Sequence, residues 1–235
     1  MRTTPPVAPP GLDVLFVDNH LLAVNKPAGL LTQSAAPGDD NLLDRARAWV
    51  KAEYDKPGNV YMGLVHRLDR NVSGVVLFGR TSKAASRLSD AFRRRVTDKV
   101  YLALVVGETP GARTLEHRLA ERDRGVVVAP EGKPARLGYR RLATGGDHSL
   151  LEVTLMTGRK HQIRAQLAAD GHPLLGDPRY GQRSPLLARP ALHAWRLGLE
   201  HPVRREPLLI EASVPVDLLS VLARLGMPWP PPAGG

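Results

Sequence analysis

GLVHRLDR at residues 63–70, followed by Ser73 and Gly74, is the stretch on which the interpretation of this sequence depends. Within it, Asp69 stands between Arg67 and Arg70, so one carboxylate has a guanidinium on either side. A nearby opposite charge favours the ionised form of an acid. We therefore expect Asp69 to be ready to act as a nucleophile or as a base. Taken alone, these residues are also compatible with two solvated arginines that pair with Asp69 on a loop.

Four other segments accompany this stretch, in a fixed order along the chain. They are NKPAG at residues 25–29, KVYLA at 99–103, TGRKHQIR at 157–164 and GHPLLGD at 171–177. Together the five segments resemble the RluA-type pseudouridine synthases, and the likeness covers roughly residues 12–215. The sister family, built around Gly-Arg-Leu-Asp, lacks the Thr-Gly-Arg-x-His-Gln form, so the RluA class is favoured. The resemblance implies the pseudouridine synthase fold, with an active-site cleft across the sheet.

The resemblance also implies a role for each residue of a catalytic set. Asp69 would attack or deprotonate the target nucleoside, and the sequence does not choose between these routes. Tyr101 would stack on the uracil with its phenol near C5, the alternative being a core tyrosine in the apolar run 100–106. Arg164 would pair with Asp69 and hold it ionised, the alternative being an ordinary surface salt bridge.

Three further residues complete the expected substrate-binding set. A base in folded RNA must leave its stack before its sugar carbon can be reached. In the family, the arginine of His-Arg-Leu-Asp takes the vacated place, which makes Arg67 the candidate wedge, or else another phosphate contact or salt bridge. His66 is expected to be a hydrogen-bonded loop residue rather than a catalyst. His161 is expected to share a helix face with Arg164.

The implied chemistry requires no cofactor and no metal. The bond from C1′ of the sugar to N1 breaks, the base turns, and a new bond forms through C5, so nothing is oxidised or hydrolysed. The histidines show no spacing typical of metal ligands, and zero cysteines exclude thiolate sites and a cysteine nucleophile. The phosphate-binding Gly-x-x-x-x-Gly-Lys-Ser/Thr, the dinucleotide Gly-x-Gly-x-x-Gly and the hydrolase Gly-x-Ser-x-Gly patterns do not occur.

The charge of the chain favours a polyanionic partner. There are 33 lysines and arginines against 23 aspartates and glutamates, a formal net charge of +10. Nucleic acid is the natural candidate, and the resemblance implies that it is ribosomal or transfer RNA. No apolar run is long enough to cross a membrane, and no hydrophobic signal region follows the N-terminus. We expect a cytoplasmic monomer without a membrane partner.

The organisation predicted from the sequence is one catalytic domain, residues 12–225, between a proline-rich tail at 1–11 and a Pro/Gly tail at 226–235. No room is left in this sequence for the S4-type RNA-binding domain that many relatives carry, so RNA affinity is expected to come from the catalytic domain. Apolar runs predict strands at residues 14–17, 21–24, 75–78, 100–106, 125–129, 150–156 and 208–214.

Helical spacing is clear in two places. One predicted helix is capped by Ser82 and has Ala85, Leu88, Phe92 and Val96 on one face. The other spans residues 160–170 and ends at a left-handed Gly171. Strands outnumber helices without regular alternation, so we predict an α+β fold with a mixed, largely antiparallel sheet flanked by helices.

Basic clusters lie at Arg93-Arg94-Arg95 and at Arg118, Arg122 and Arg124. They are phosphate-contact candidates of low specificity, because such runs are usually solvated faces. Two functions remain open: an RNA pseudouridine synthase, and a catalytically silent RNA-binding or ribosome-assembly protein of the same fold. The first is favoured because a module that only binds RNA does not need a carboxylate facing a polyanion.

Overall fold

A computed structural model describes residues 12–123 and 125–231. The tail predicted at residues 1–11, the candidate Arg124 and the last four residues lie outside the described part. The strands are β1 (Asp13–Val17), β2 (Leu21–Lys26), β3 (Gly63–Leu64), β4 (Ser73–Gly79), β5 (Asp98–Val106), β6 (Ala112–Arg122), β7 (Gly125–Val128), β8 (Lys133–Thr144), β9 (His148–Leu155), β10 (Leu192–Glu200) and β11 (Pro207–Glu211). The helices are α1 (Leu42–Glu53), α2 (Ser82–Arg94), α3 (Gln162–Ala169) and α4 (Val216–Arg224).

The chain forms two compact units. Unit 1 comprises the described residues up to Thr97 together with Ala194–Ser213. Unit 2 comprises Asp98–His193 and the described residues from Val214 onward. The single predicted domain 12–225 therefore contains two units, and the chain leaves unit 1 and later returns to it.

Unit 1 is built on a sheet in the order β1-β2-β4-β10, with β3 beside β4 and β11 beside β10. The pairs β1/β2, β2/β4, β3/β4 and β10/β11 are antiparallel. Alternate residues of a strand share a face. One face of this sheet packs against Ala84 and Leu88 of α2, and it is formed by Leu21, Ala23, Val75, Leu77, Leu197 and Leu199.

Helix α2 confirms the first predicted helix but corrects both of its ends. The N-cap is Thr81, not Ser82, because the Thr81 hydroxyl accepts a hydrogen bond from the Ala84 backbone N–H at 3.2 Å. The helix ends at Arg95, which adopts a left-handed conformation with φ of 59°. Val96 therefore lies beyond the helix and is 58% exposed instead of belonging to its apolar face.

Helix α1 was not predicted, although its sequence carries a helical signal. Asn41 caps it by accepting a hydrogen bond from the Asp44 backbone N–H at 3.0 Å. The buried side chains recur at intervals of four, three and one residue, which places them on one helix face. They are Leu42, Ala46, Trp49 and Val50.

Unit 2 contains a sheet in the order β5-β9-β8-β6-β7. Every neighbouring pair in it is antiparallel, so the α+β prediction with a largely antiparallel sheet is confirmed. Strands β6 and β8 were not predicted. Their charged residues form directly opposed pairs on the sheet: Glu116 faces Arg136 at 2.9 Å, and Arg140 faces Glu152 at 3.2 Å.

The core of unit 2 joins this sheet to α3. Ala165 of α3 packs against Leu119, Val126 and Ala135, and Tyr180 packs against the same cluster. The helix is shorter than the predicted 160–170, but Gly171 has the expected left-handed conformation, with φ of +88°.

Helix α4 and the described residues that follow it also belong to unit 2. Leu218, Val221 and Leu222 are the buried residues of this unpredicted helix. The predicted C-terminal tail starts at residue 226, yet the side chain of Met227 is buried. Its backbone N–H donates to the Leu222 carbonyl at 2.9 Å. The packed part of the chain therefore extends to this methionine.

Candidate active site

Asp69 lies on the loop between β3 and β4 in unit 1. It is half-buried, Arg67 is exposed and Leu68 is buried at 8% exposure. A loop with a buried leucine beside a partly exposed carboxylate is anchored on one side and open on the other. The local geometry thus suits a carboxylate presented to a large substrate.

Thr32 fixes the loop one residue before Asp69. Its hydroxyl donates to the Leu68 carbonyl at 2.8 Å and accepts the Leu68 backbone N–H at 3.2 Å. Thr32 is itself buried, so these two bonds form away from competing water. Both main-chain groups of the residue next to Asp69 are therefore held by one side chain.

Lys26 fixes the loop one residue after Asp69. Its ammonium is fully buried and donates to the carbonyls of Pro27 and Leu30 at 2.9 Å each and to that of Arg70 at 3.0 Å. A buried charge is tolerated only when hydrogen bonds replace its hydration. The Arg70 carbonyl also accepts the backbone N–H of Gly29 at 2.8 Å. The NKPAG segment thus anchors the loop on its C-terminal side.

His66 supports the same loop from β4 and α2. Its Nε2 accepts the Leu77 backbone N–H at 2.9 Å, and its ring stacks on Phe92 with 4.7 Å between the centroids. The expectation that His66 is a hydrogen-bonded loop residue is therefore met by this geometry. A direct contact of His66 with substrate stays a prediction.

Gly74 allows the loop to enter β4 beside β10. Its φ is +119°, a backbone conformation that residues other than glycine rarely adopt. A Cβ at this position would lie 2.1 Å from the Ala194 carbonyl oxygen and 2.6 Å from its nitrogen. The glycine that follows Ser73 is thus required by the close approach of two backbones.

Tyr101 lies on β5 in unit 2, opposite Val153 of β9, and is half-buried. Lys99 precedes it by two residues on the same strand and is also half-buried. Alternate strand residues share a face, so an ammonium and a phenol stand side by side there. Lys99 belongs to the KVYLA segment, and no role was expected for it.

The TGRKHQIR segment is fixed to β8 by its threonine and glutamine. The Thr157 hydroxyl donates to Oε1 of Gln162 at 2.8 Å and accepts the Arg136 backbone N–H at 2.8 Å. Gln162 Nε2 donates to the Arg136 carbonyl at 3.1 Å, and its Oε1 also accepts the Arg159 backbone N–H at 3.0 Å. These residues therefore set the position at which α3 begins.

Arg164 lies in the first turn of α3 and is buried beside a carboxylate for which no role was expected. Its Nε and Nη2 donate to Asp177 at 2.7 and 2.9 Å. Burial alone would raise the pKa of Asp177, but the hydrogen bonds and charge of Arg164, with the backbone N–H groups of Arg179 and Tyr180, hold that pKa below its ordinary value. Asp177 is thus an anion within unit 2.

His161 is the N-cap residue of α3 and is held by Tyr180. Its backbone is left-handed with φ of 52°, and its Nδ1 is hydrogen-bonded with the Tyr180 hydroxyl at 2.8 Å. That hydroxyl also accepts the Val126 backbone N–H at 2.8 Å. Burial raises the pKa of Tyr180 above its ordinary value. This tyrosine therefore links α3 to β7.

The structure places the expected site residues in two groups. Unit 1 carries Asp69, Arg67 and His66 within one loop. Unit 2 carries Tyr101 on β5, and His161 and Arg164 at the start of α3. The pairing of Asp69 with Arg164 and the cleft across the sheet would join residues of different units, and both stay predictions.

The residues that sequence analysis missed are the supports of these groups. Lys26 and Asp177 lie in NKPAG and GHPLLGD, so their motifs were recognised while their contacts were not. Thr32 and Tyr180 lie outside the quoted segments. In the sequence, each is only a polar residue shortly after a motif. Many surface residues have the same description, so it does not identify a supporting residue.

Several basic candidates have acidic neighbours. Arg93 and Arg94 both pair with Asp90, and Arg122 pairs with Glu131. Arg118 is exposed on β6. In the part of the chain that the structure describes, no group of three or more His, Cys, Asp and Glu side chains is placed to hold a metal ion. None of the described helices has the length and apolar character needed to cross a membrane.

Comparison with known proteins identifies the relatives of the chain. A family model described as RNA pseudouridylate synthase matches residues 20–169. An uncharacterized RNA pseudouridine synthase of Chloroflexus aurantiacus is 42% identical over 206 residues, 86% of this chain and 65% of that protein. Ribosomal large subunit pseudouridine synthase D of Nitrosomonas europaea is 37% identical over 232 residues, 90% of this chain and 64% of that protein. The chain thus spans slightly less than two thirds of these relatives.

Solved structures show the same fold. The human RNA pseudouridylate synthase domain containing 4 matches with a TM-score of 0.80 at 24% identity, over 93% of this chain and 94% of that one. The human domain containing 1 matches with a TM-score of 0.70 at 25% identity, over 90% of this chain and 87% of that one. The predicted fold class is therefore confirmed.

Proposed function

The chain belongs to the RNA pseudouridylate synthase family, and from this membership we propose that it isomerises uridine in RNA to pseudouridine. The observation that carries the proposal is the loop of Asp69. Thr32 fixes its backbone one residue before the aspartate and Lys26 one residue after it. A partly exposed carboxylate on a rigid backbone is suited to act on a nucleotide that is brought to it.

Asp69 is the catalytic residue of this proposal. By covalent attack on the sugar or ring, or by removal of a sugar proton, its carboxylate promotes cleavage between C1′ and N1. The uracil turns while it is held in the site. The new bond forms between C1′ and C5 as the bond to Asp69 breaks on the covalent route, or as the sugar proton is returned on the other route. C5 then loses its proton while N1 gains one, so the product is an isomer of the substrate and no oxidant, water or cofactor is consumed.

The remaining residues bind and position the nucleotide. Tyr101 stacks on the flipped uracil, and the half-burial of its ring leaves part of a flat face for this contact. Arg67 is exposed beside Asp69 and fills the place that the base leaves in the RNA stack. Arg164 pairs with Asp69 and favours its ionised form. His66 and His161 contribute by holding the loop and the start of α3.

The proposed substrate is ribosomal RNA in the first instance and transfer RNA in the second. The first choice is supported by the similarity to the Nitrosomonas europaea protein, a ribosomal large subunit pseudouridine synthase. The net charge of +10 supports binding to either RNA. We further propose that the protein acts as a cytoplasmic monomer. It is expected to need no metal, because the isomerisation requires no electron donor and no group donor.

The decisive experiment compares the chain with an Asp69→Asn variant on ribosomal and transfer RNA. Pseudouridine is mapped by its selective chemical labelling and sequencing, and RNA affinity is measured in parallel. We expect the variant to lose at least about 100-fold in rate and to keep its affinity within about twofold. Asp147→Asn, at an exposed turn between β8 and β9, is the matched control and should keep the rate.

Each outcome has a clear meaning. If neither the chain nor the variant forms pseudouridine in any RNA that it binds, a silent RNA-binding or assembly protein replaces the proposal. If the variant modifies RNA as fast as the unaltered chain, Asp69 is not the catalytic residue.

A further inference from the structure

The GHPLLGD segment and the tyrosine that follows it surround Arg164 within unit 2. The guanidinium makes a two-point contact with Asp177, whose side chain is fully buried, and lies over the ring of Tyr180 at 5.0 Å from its centroid. We call Asp177 and Tyr180 the Arg164 anchor. Arg164 itself is the residue that the proposed function pairs with Asp69.

The carboxylate of the anchor is itself rigidly held. Its Oδ2 accepts from Nε of Arg164, and its Oδ1 accepts from Nη2 and from the backbone N–H of Arg179 at 3.0 Å. Two parallel bonds fix the plane of a guanidinium as well as its position. A buried ion pair is weak evidence for stability but defines orientation well, because both partners have lost their hydration.

The tyrosine of the anchor limits the remaining freedom of the guanidinium. The guanidinium carbon lies over its ring at the distance of a cation–π pair. Its hydroxyl is hydrogen-bonded with the Val126 backbone and with His161 Nδ1, so the ring cannot swing away without breaking both contacts. Arg164 is thus restrained by two hydrogen bonds to Asp177 and by the ring of Tyr180.

On the premise of the proposed function, we infer that Asp177 and Tyr180 are positioning residues for the isomerisation. An arginine has five N–H donors in a fixed fork. Asp177 takes one donor on Nε and one on Nη2, so it also sets the direction in which the other donors of the fork point. Under the proposed function, in which Arg164 pairs with Asp69, the anchor fixes the orientation in which the guanidinium meets that carboxylate.

The test measures whether the anchor acts through Arg164. Asp177→Asn keeps the shape of the side chain and removes its charge. We expect its single-turnover rate of pseudouridine formation to fall about 10-fold to 100-fold, as misplacement of a reacting group does, with RNA affinity within about twofold. Asp217→Asn is the matched control, since Asp217 accepts a two-point contact from Arg189 in the same unit at 2.7 and 2.8 Å. It should leave the rate unchanged.

A second comparison separates positioning from general support of the fold. In an Arg164→Lys background the guanidinium fork is absent, so Asp177→Asn should change the rate by less than about twofold. The inference would be overturned if Asp177→Asn lowered the rate as much in the Arg164→Lys background as in the unaltered chain. It would also be overturned if Asp177→Asn alone kept the full rate. If Asp177→Asn does not fold, Tyr180→Phe decides, because it keeps the ring and removes only the hydroxyl; an unchanged rate overturns the role of Tyr180. Absence of pseudouridine from the unaltered chain would instead refute the proposed function.

Discussion

Replacing Gly74 by alanine should destabilise unit 1 through a backbone collision that is visible in the structure. The new Cβ would lie 2.1 Å from the carbonyl oxygen of Ala194 and 2.6 Å from its nitrogen, and real Cβ atoms do not approach backbone this closely. The φ of +119° adds conformational strain. Because both neighbours are backbone atoms of β10, no side-chain rotation relieves the contact, and the strands must separate.

The size of the effect follows from these two contributions. A residue held in a sparsely populated backbone region costs about 1–3 kcal/mol. Forcing extra volume between packed elements costs a further ~1–3 kcal/mol. We therefore expect a loss of about 4 kcal/mol, which corresponds to a fall of about 8–16 °C in Tm at ~2–4 °C for each kcal/mol.

Gly29→Ala is the matched control for this prediction. Gly29 also has a positive φ, +89°, but no atom lies within 4 Å of the position that its Cβ would take. It should lose only the strain, about 1–2 kcal/mol. Thermal melting and urea denaturation, followed by circular dichroism, measure both variants. Equal losses for the two variants would refute the argument from close approach, and unchanged melting of Gly74→Ala would refute the argument from strain as well.

The remaining predictions concern a buried ammonium, a buried carboxylate and the charge of the chain. Lys26→Met removes the donor from the carbonyls of Pro27 and Leu30, at about 1–3 kcal/mol each, while the Arg70 carbonyl keeps the Gly29 N–H. Urea denaturation should therefore show a loss of about 2–6 kcal/mol together with a slower single-turnover rate; full stability would contradict the assigned contacts. Hydrogen bonding to Arg189 lowers the pKa of Asp217 in the folded protein. The stabilisation that this carboxylate gives the fold is therefore complete above its ordinary pKa of 3.8 and is lost as pH falls through its lower pKa in the folded state. The stability difference between the unaltered chain and Asp217→Asn should thus be constant above about pH 5 and shrink in more acidic urea titrations, and a difference that grows there would count against this. RNA affinity should fall at least about tenfold between ~50 and ~200 mM salt in filter-binding assays, and an affinity insensitive to salt would contradict the charge argument.

The strands that could be predicted from sequence are those whose apolar residues form runs. β4 is buried at every position, so its valines, leucine and phenylalanine stand together in the sequence. β6 and β8 were missed because one face of each carries charged residues, as Glu116 and Arg136 do, and these interrupt the apolar pattern. α1 was missed for a different reason, since its helical pattern is present and was overlooked.

The same contrast holds for the candidate site. Asp69, Tyr101 and Arg164 could be recognised from local motifs, because residue type and order within a short segment are visible without a fold. The contact of Lys26 with the Arg70 carbonyl, across 44 positions of the chain, could not. No spacing rule connects an ammonium with a backbone carbonyl so far away in sequence.

The order of residues along the chain is enough to specify the available chemistry: a carboxylate between arginines, a phenol, a guanidinium and an excess of positive charge. The groups that hold these residues in place are set by packing, as Thr32 and Lys26 hold the loop of Asp69, and Asp177 holds Arg164. This difference arises from the short range of a hydrogen bond. It acts over about 3 Å and within a narrow angle, so its partners are chosen by how strands and helices pack and not by their order along the chain.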